Sequence, residues 1–204
     1  MATIDYFYTT ISPWAYLGHD AFLAIAGAHD VAVRYRPVNL GPVFENSGGL
    51  PLGKRHPARQ NYRLIELQRW REKRGARLNL KPAYFPVNPG LADCAAIAIQ
   101  AAGGNPGDYA RLAFRAVWAD DLDVSDETVV AGLATKAGFD GAKIVQKAKS
   151  DGILAEYDKN RDDAIRYEII GSPCYVLNGE PFWGQDRLDL LADALSSGRA
   201  AYRP

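Results

Sequence analysis

Apolar and polar positions follow two different periods along the chain, and the order of these periods predicts the fold. Strand-forming residues fill the segment from Thr3 to Tyr8, and apolar residues then recur at helical spacing from Trp14 until Gly27 ends the pattern. Residues 31–38 alternate between apolar and polar positions, which is typical of a half-buried strand. The chain therefore begins with a β-α-β unit, and a crossover of this length predicts two parallel strands with a right-handed connection.

The middle of the chain has a helical pattern without strand signals. Residues 39–57 are rich in glycine and proline, and a connection of this length favours a binding loop or a disordered segment. An amphipathic helix is predicted over residues 58–74. Further helices are predicted up to residue 167, after an irregular stretch at residues 76–87. Residues 58–167 are therefore expected to form an all-helical block.

Strand signals return near the C-terminus. Asn178-Gly179 separates two apolar runs, and both residues tolerate a positive φ, so an antiparallel hairpin is predicted there. A short helix is predicted from Gly184 to Leu195. The order β-α-β, helical block, β-β-α predicts an α/β fold, namely a thioredoxin-like domain with a large all-helical insertion. The expected domains are a discontinuous thioredoxin-like domain, residues 1–57 and 168–204, and an inserted helical domain, residues 58–167.

The junction between the first strand and the first helix is where we place the chemistry. Ser12 suits the N-cap of the helix, and Pro13 suits the first helical position, where its missing N–H has no cost. A serine at this position presents its hydroxyl beside unpaired backbone N–H groups at the positive end of a helix dipole, which favours a nearby anion. A plain helix cap explains the same residue, and the local sequence leaves both interpretations open.

Composition and charge narrow the range of partners. Lysine plus arginine and aspartate plus glutamate number 24 each, so no overall field indicates nucleic acid or a membrane surface. No leader-like segment precedes the first strand, and no apolar run approaches the roughly 18 residues of a membrane span. We therefore expect a cytoplasmic protein that binds a small molecule. Cys94 and Cys174 are expected to be buried free thiols, and the histidine spacing predicts no metal site.

Motifs at both ends of the helical block resemble those of one family. They are Tyr6-Phe7-Tyr8 with Ser12-Pro13, Leu67-Gln68-Arg69-Trp70, Ala116-Val117-Trp118, Gly171-x-Pro173, and Phe182-Trp183-Gly184-Gln185-Asp186-Arg187-Leu188. The chain resembles the class kappa glutathione transferase and 2-hydroxychromene-2-carboxylate isomerase family over nearly its whole length, most closely the bacterial isomerase branch. The resemblance implies a DsbA-like thioredoxin fold, a cis proline at Pro173, glutathione as cofactor and a homodimer.

The resemblance also implies roles for individual residues. Ser12 matches the family's active serine, whose hydroxyl faces the sulfur of bound glutathione. Ser172 would hold the cysteinyl backbone of glutathione through its main chain, so its side chain should matter little. The residues that match the loop around the γ-glutamyl end are Trp183, Gly184, Gln185 and Asp186. The residues on the aromatic substrate's side are Lys54, Arg55 and Tyr84, although a solvated basic loop explains the first two equally well.

These matches predict a glutathione-dependent isomerase that interconverts 2-hydroxychromene-2-carboxylate and trans-o-hydroxybenzylidenepyruvate, in aromatic hydrocarbon catabolism, by transient thiolate addition. Ser-Pro-Trp-Ala at residues 12–15 stands where disulfide oxidoreductases carry two cysteines, so the sulfur must come from the ligand. A class kappa-like glutathione transferase and a non-catalytic thioredoxin-like binding module are the alternatives. Phe44 replaces a family lysine and Gly49 a family asparagine, which bears on the substrate and on the contacts with glutathione.

Overall fold

A computed structural model describes residues 2–204, and its four strands form one mixed sheet in the order β2-β1-β3-β4. The strands are β1 (Thr3–Tyr8), β2 (Ala32–Pro37), β3 (Cys174–Leu177) and β4 (Glu180–Trp183). β1 pairs with β2 in parallel and with β3 antiparallel, and β4 pairs antiparallel with β3. Asn178 and Gly179 connect β3 to β4 with φ values of 52° and 80°, so the predicted hairpin turn is confirmed.

Helices account for most of the remaining chain. They are α1 (Pro13–Ala28), α2 (Leu40–Ser47), α3 (Pro57–Arg74), α4 (Gly90–Ala101), α5 (Gly107–Trp118), α6 (Glu127–Lys136), α7 (Gly141–Ala148), α8 (Asp151–Arg166) and α9 (Leu188–Ser197). Short 3₁₀ turns occupy Leu52–Lys54 and Gln185–Arg187. No helix within residues 2–204 is both long and apolar enough to cross a membrane. The expected thioredoxin-like fold with a helical insertion is confirmed.

One connection differs from its prediction. The glycine and proline content predicts a binding loop or a disordered segment after β2, but this segment contains the helix α2. The Asn39 side chain caps this helix by accepting a hydrogen bond from the N–H of Gly41 at 3.0 Å, and Gly48 ends it with a φ of 73°. Pro42 lies in the first turn, where a missing N–H is tolerated. The residues that suggested a loop therefore occupy the ends of a short helix.

Two apolar cores meet at α1 and α5. The core under the sheet contains Phe22 and Phe114, and the core of the helical block contains Leu17 and Trp118. Leu17 and Phe22 both lie on α1, and Phe114 and Trp118 both lie on α5. Because each of these helices presents residues to both cores, the start of α1 is fixed from two sides, and this is the part of the fold that positions Ser12.

Candidate active site

Ser12 is the N-cap of α1, as predicted. Its backbone is extended, with φ −87° and ψ 115°, and its hydroxyl oxygen accepts a hydrogen bond from the N–H of Ala15 at 3.2 Å. The same hydroxyl donates to the carbonyl oxygen of Ser172 at 3.1 Å. The Ser12 residue is 6% exposed. The hydroxyl is thus nearly buried, and its hydrogen points to the loop before β3.

The first turn of α1 leaves one backbone donor beside this hydroxyl. Pro13 has no N–H, the N–H of Ala15 is bonded to Ser12 Oγ, and the N–H of Tyr16 is bonded to the Ser12 carbonyl at 3.1 Å. The N–H of Trp14 is therefore the first-turn donor that has no intrahelical or capping partner. A hydroxyl and a backbone N–H at a helix N-terminus suit an anion such as a thiolate.

The loop before β3 completes this group of residues. The Ser172–Pro173 peptide bond is cis, as the resemblance implied. The Ser172 hydroxyl oxygen also accepts a hydrogen bond from the N–H of Thr9 at 3.2 Å. This hydrogen bond ties the end of β1 to the loop that carries Pro173, and the main-chain role of Ser172 toward glutathione stays a prediction.

The turn after β4 packs against the same loop. The N–H of Gly184, which has a φ of 104°, donates to the carbonyl oxygen of Pro173 at 2.9 Å. The Trp183 indole covers Gly171 so closely that a Cβ at Gly171 would lie 2.6 Å from the indole nitrogen. Trp183 is itself 51% exposed. The structure thus brings Trp183 and Gly184 to the Ser172–Pro173 loop, which in turn contacts Ser12.

Gln185 and Asp186 continue the turn in different environments. Gln185 is buried, and its side-chain oxygen accepts a hydrogen bond from Arg74 at 3.0 Å. A Cβ at Gly18 would overlap the Cβ of Gln185, so this residue fixes the turn against α1. The Asp186 carboxylate is about half exposed and forms an ion pair with Arg187 at 2.6 Å. Asp186 is therefore the residue of this turn with an accessible negative charge.

Asp93 lies beneath the segment Thr9–Ser12, the active-site loop, and is not among the predicted site residues. Its fully buried carboxylate accepts hydrogen bonds from the N–H and hydroxyl of Thr10 at 2.8 and 2.7 Å, and from the Thr9 hydroxyl at 3.0 Å. The Tyr157 hydroxyl of α8 adds another at 3.0 Å. This network ties the two residues that follow β1 to α4 and α8, and so supports the backbone that leads into Ser12.

Burial raises the pKa of Asp93 to about 6, while the hydrogen bonds from Thr10, Thr9 and Tyr157 favour the charged form. A sequence signal for this residue does exist. Asp93 is the single charged residue in the run Leu91–Gln100. A lone acid in such a run indicates a buried carboxylate with partners, although the sequence gives no indication which loop those partners occupy.

The predicted substrate-side residues lie in the connections on either side of α3: Lys54 ends the 3₁₀ turn Leu52–Lys54, Arg55 follows it, and Tyr84 lies between α3 and α4. Lys54 and Tyr84 are exposed, and Arg55 donates a hydrogen bond to the carbonyl oxygen of Leu50 at 2.7 Å. The Arg55 guanidinium carbon lies 5.8 Å from the centroid of the Phe44 ring. The structure shows no direct contact between these residues and Ser12.

The two departures from the family pattern are coupled in space. A Cβ at Gly49 would lie 2.6 Å from the Phe44 ring. The glycine at position 49 therefore makes room for the phenylalanine at position 44, and an asparagine at position 49 would require the ring to move. Phe44 and Gly49 together place an aromatic ring, and no polar side chain, at the two positions where the family carries lysine and asparagine.

The cysteines take no part in this site. Cys94 and Cys174 are free and buried, as expected, and burial raises the pKa of each thiol to about 12. A thiol with so high a pKa is almost entirely protonated at neutral pH and reacts poorly. Residues 2–204 contain no cluster of three or more histidine, cysteine, aspartate or glutamate side chains arranged to hold a metal ion.

Comparison with known proteins agrees with this geometry. A family model described as the DSBA-like thioredoxin domain matches residues 3–196, so the chain belongs to the DSBA-like thioredoxin family. Within it, the chain is 28% identical over 200 residues to a 2-hydroxychromene-2-carboxylate isomerase of Pseudomonas sp. (strain C18), with 94% of this chain and 89% of the relative covered. The resemblance stated from the motifs is confirmed.

Two further comparisons are with a kappa-class transferase and with a solved structure. Glutathione S-transferase kappa 1 of Rattus norvegicus is 21% identical over 201 residues, which cover 93% of this chain and 88% of the relative. A solved structure of 2-hydroxychromene-2-carboxylate isomerase superposes with a TM-score of 0.83 at 24% sequence identity, covering 96% of this chain and 95% of that chain. The structural comparison supports the fold alone.

Proposed function

We propose that the protein is a glutathione-dependent isomerase that interconverts 2-hydroxychromene-2-carboxylate and trans-o-hydroxybenzylidenepyruvate. The observation that carries the proposal is the position of the Ser12 hydroxyl, at the N-terminus of α1 and hydrogen-bonded to the residue before a cis proline. The relative from Pseudomonas sp. (strain C18), which bears the name of this isomerase, supports the choice of reaction.

The donor set at the start of α1 fits a thiolate. Bound glutathione would supply the sulfur that adds to the conjugated carbon of the substrate and leaves after rotation about the resulting single bond, so that glutathione is recovered unchanged. The Ser12 hydroxyl, which now donates to Ser172, would turn its hydrogen toward the sulfur while its oxygen keeps the hydrogen bond from Ala15. The Trp14 N–H would add a second donor.

The remaining contacts with glutathione are proposed from the turn after β4 and from the Ser172 main chain. Asp186 has the exposed carboxylate that the γ-glutamyl ammonium requires, and it would exchange part of its ion pair with Arg187 for this partner. Trp183 and Gly184 would line the site through the indole face and the backbone. Gln185 would hold the turn in place through α1 and Arg74.

The substrate would lie on the side of Lys54, Arg55 and Tyr84. A cation there would bind the substrate carboxylate, and the Tyr84 hydroxyl is exposed and able to contact a phenol oxygen. The Phe44 ring, for which Gly49 leaves room, would lie against the aromatic ring of the substrate.

A class kappa-like glutathione transferase is the second candidate. It would use the same Ser12 hydroxyl and the same turn after β4, and the similarity to glutathione S-transferase kappa 1 of Rattus norvegicus favours it. The two reactions differ in stoichiometry, because a transferase consumes one glutathione for each product formed whereas the isomerase consumes none. A non-catalytic binding module would show neither activity.

We further propose that the protein is cytoplasmic and acts as a homodimer. The free state of both cysteines is compatible with a reducing compartment. Sedimentation equilibrium of the purified protein would test the dimer, and a single species with the mass of one chain would contradict it.

The test is absorbance-monitored conversion of 2-hydroxychromene-2-carboxylate with and without glutathione. We expect turnover that requires glutathione and causes no net loss of thiol, and a decrease of at least tenfold for Ser12→Ala. Ser150→Ala is the control, because Ser150 occupies the N-cap position of α8 in a different part of the molecule, where its hydroxyl donates to the carbonyl oxygen of Lys147. Turnover without glutathione, or an equal decrease in both variants, would contradict the proposal, and stoichiometric loss of thiol would favour the transferase.

A further inference from the structure

Arg63 on α3 has an unusual environment for a partly buried cation. Its guanidinium carbon lies 5.7 Å from the ring centroids of both Phe85 and Trp118. Within residues 2–204 this guanidinium donates no hydrogen bond and pairs with no carboxylate. A guanidinium that makes cation–π contacts with aromatic rings keeps its N–H groups free to bind a ligand.

The rest of α3 shows that this lack of partners is local. Farther along the helix, Arg69 pairs with Glu66 at 2.5 Å, Arg71 donates to the carbonyl oxygen of Leu78, and Arg74 donates to Gln185. The arginines toward the N-terminal end of α3 have no such acceptors. The arginines near the C-terminal end of α3 therefore have hydrogen-bond acceptors within the chain, whereas those near its N-terminal end have none.

Further positive charge accumulates at the unsatisfied end. Burial, with a further contribution from Arg55, lowers the pKa of Arg63 to about 10. Burial and the nearby charge of Arg59 likewise lower the pKa of Arg55. No carboxylate within the described residues forms an ion pair with Arg55, Arg59 or Arg63. Buried positive charges that lower one another's pKa in this way would be stabilised by a bound anion.

A second donor without an acceptor lies at the same place. The indole nitrogen of Trp118 is buried and has no hydrogen-bond partner within the described residues. Trp118 belongs to the core of the helical block, and Phe85 and Trp14 of the first turn of α1 pack against that core. The unsatisfied donors and the helix that begins after Ser12 therefore adjoin the same core.

We propose that Arg63, assisted by Arg55, binds the carboxylate of a planar aromatic acid, whose ring lies against the aromatic side chains Phe44 and Phe85. A guanidinium binds a carboxylate with two parallel hydrogen bonds, and the aromatic rings around it exclude water and strengthen them. The identification of this acid as the substrate rests on the proposed function. The binding site itself does not.

The test is calorimetric titration with chromone-2-carboxylate, a stable planar aromatic acid, and with chromone, which lacks the carboxylate. We expect Arg63→Gln to weaken binding of the acid roughly 10- to 100-fold, as for the loss of a hydrogen bond between charged groups, and to leave binding of chromone unchanged. Arg63→Lys, which keeps the charge but loses the bidentate geometry, should fall between wild type and Arg63→Gln. Arg69→Gln is the control on the same helix, because Arg69 is exposed and paired with Glu66.

Several outcomes separate the possibilities. Equal affinity of wild type and Arg63→Gln for the acid, or equal losses for the acid and chromone, would overturn the proposal. If Arg63→Gln lowers the unfolding midpoint, Arg63→Lys at a temperature where it is fully folded gives the deciding comparison, and an affinity equal to that of wild type would overturn the bidentate site. Glutathione affinity, measured in parallel, should not change in either variant. Weak binding of glutathione to wild type would contradict the proposed function and leave the acid site standing.

Discussion

At the scale of single residues, the candidate site depends on a few polar groups held in fixed orientations. Ser12, Ser172 and Thr9 are joined by direct hydrogen bonds, and Thr9 and Thr10 are in turn bonded to Asp93. The sequence predicted the Ser12 cap because capping has a local signature, whereas the cis proline was implied by the family resemblance. It did not predict Asp93 as a site residue, because its partners lie 83 and 84 positions away along the chain.

Asp93→Ala tests the support of the active-site loop. The substitution leaves the Thr10 N–H and buried hydroxyls without their acceptor, and we expect it to lower the free energy of unfolding by roughly 3 kcal/mol or more. Asp93→Asn keeps one acceptor oxygen and should cost less, about 1 kcal/mol. Urea unfolding measures both, with the exposed Asp193→Ala as a control expected to change little. A loss for Asp93→Ala no larger than that for Asp193→Ala would show that the network contributes nothing.

At the scale of elements, α1 is positioned by close contacts along its length. Gly18→Ala would push the turn at Gln185 away, because the added Cβ has no room. We expect a loss of about 1–3 kcal/mol in stability and weaker glutathione binding. Gly27→Ala on the same helix meets no atom within 4 Å and should instead stabilise by about 0.4–1 kcal/mol. Titration calorimetry measures glutathione binding and thermal unfolding measures stability for both variants. Similar effects at the two positions would contradict the role assigned to Gly18.

The contact between α1 and α5 carries a pH dependence. His19 is buried, its Nε2 is 2.9 Å from the Gly107 carbonyl oxygen, and burial lowers its pKa to about 4 from an ordinary value of 6.5. Between these values the unfolded chain binds the proton more tightly, so this stability is present at neutral pH and is lost as the pH falls toward 4. Asp93 acts in the opposite direction, because its pKa is raised to about 6 from 3.8 and the folded state binds its proton more tightly in that range.

The two opposed shifts predict a small net change in wild type between pH 7 and roughly pH 4.5. A variant that lacks one of the two titrating groups should show the pH dependence caused by the other. We expect Asp93→Asn to lose stability on acidification and His19→Gln to gain it, each by about 1–3 kcal/mol relative to its own value at neutral pH. Urea unfolding at the two pH values measures these changes. The same pH dependence in both variants would show that neither group titrates as described.

The elements also show where sequence reasoning succeeds and where it stops. The hairpin at Asn178-Gly179 and the start of α1 were predicted because turn and cap chemistry is local. α2 was missed because Gly41, Pro42 and Gly48 favour a loop, whereas the folded chain uses them in the first turn and at the end of a helix. The environment of Arg63 depends on Phe85 and Trp118, which are distant in sequence, so no local pattern could have revealed it.

At the scale of the whole molecule, the sheet and the helical block share α1 and α5. The proposed division into residues 1–57 with 168–204 and residues 58–167 remains a prediction. Because Leu17 and Phe22 belong to different cores on one helix, we expect the chain to unfold in a single cooperative transition. Circular dichroism and tryptophan fluorescence should report the same midpoint in urea. Two separated transitions would show that the block unfolds independently.

The central claim is that Ser12 and the N-terminus of α1 lower the pKa of a glutathione thiol. The most direct measurement is the pH titration of thiolate absorbance in the ultraviolet for glutathione bound to wild type and to Ser12→Ala. We expect the thiol to titrate about one to two units below its ordinary value near 8.5 in wild type, and closer to that value in the variant. A thiol that titrates near 8.5 in wild type, or at the same pH in both proteins, would contradict the account.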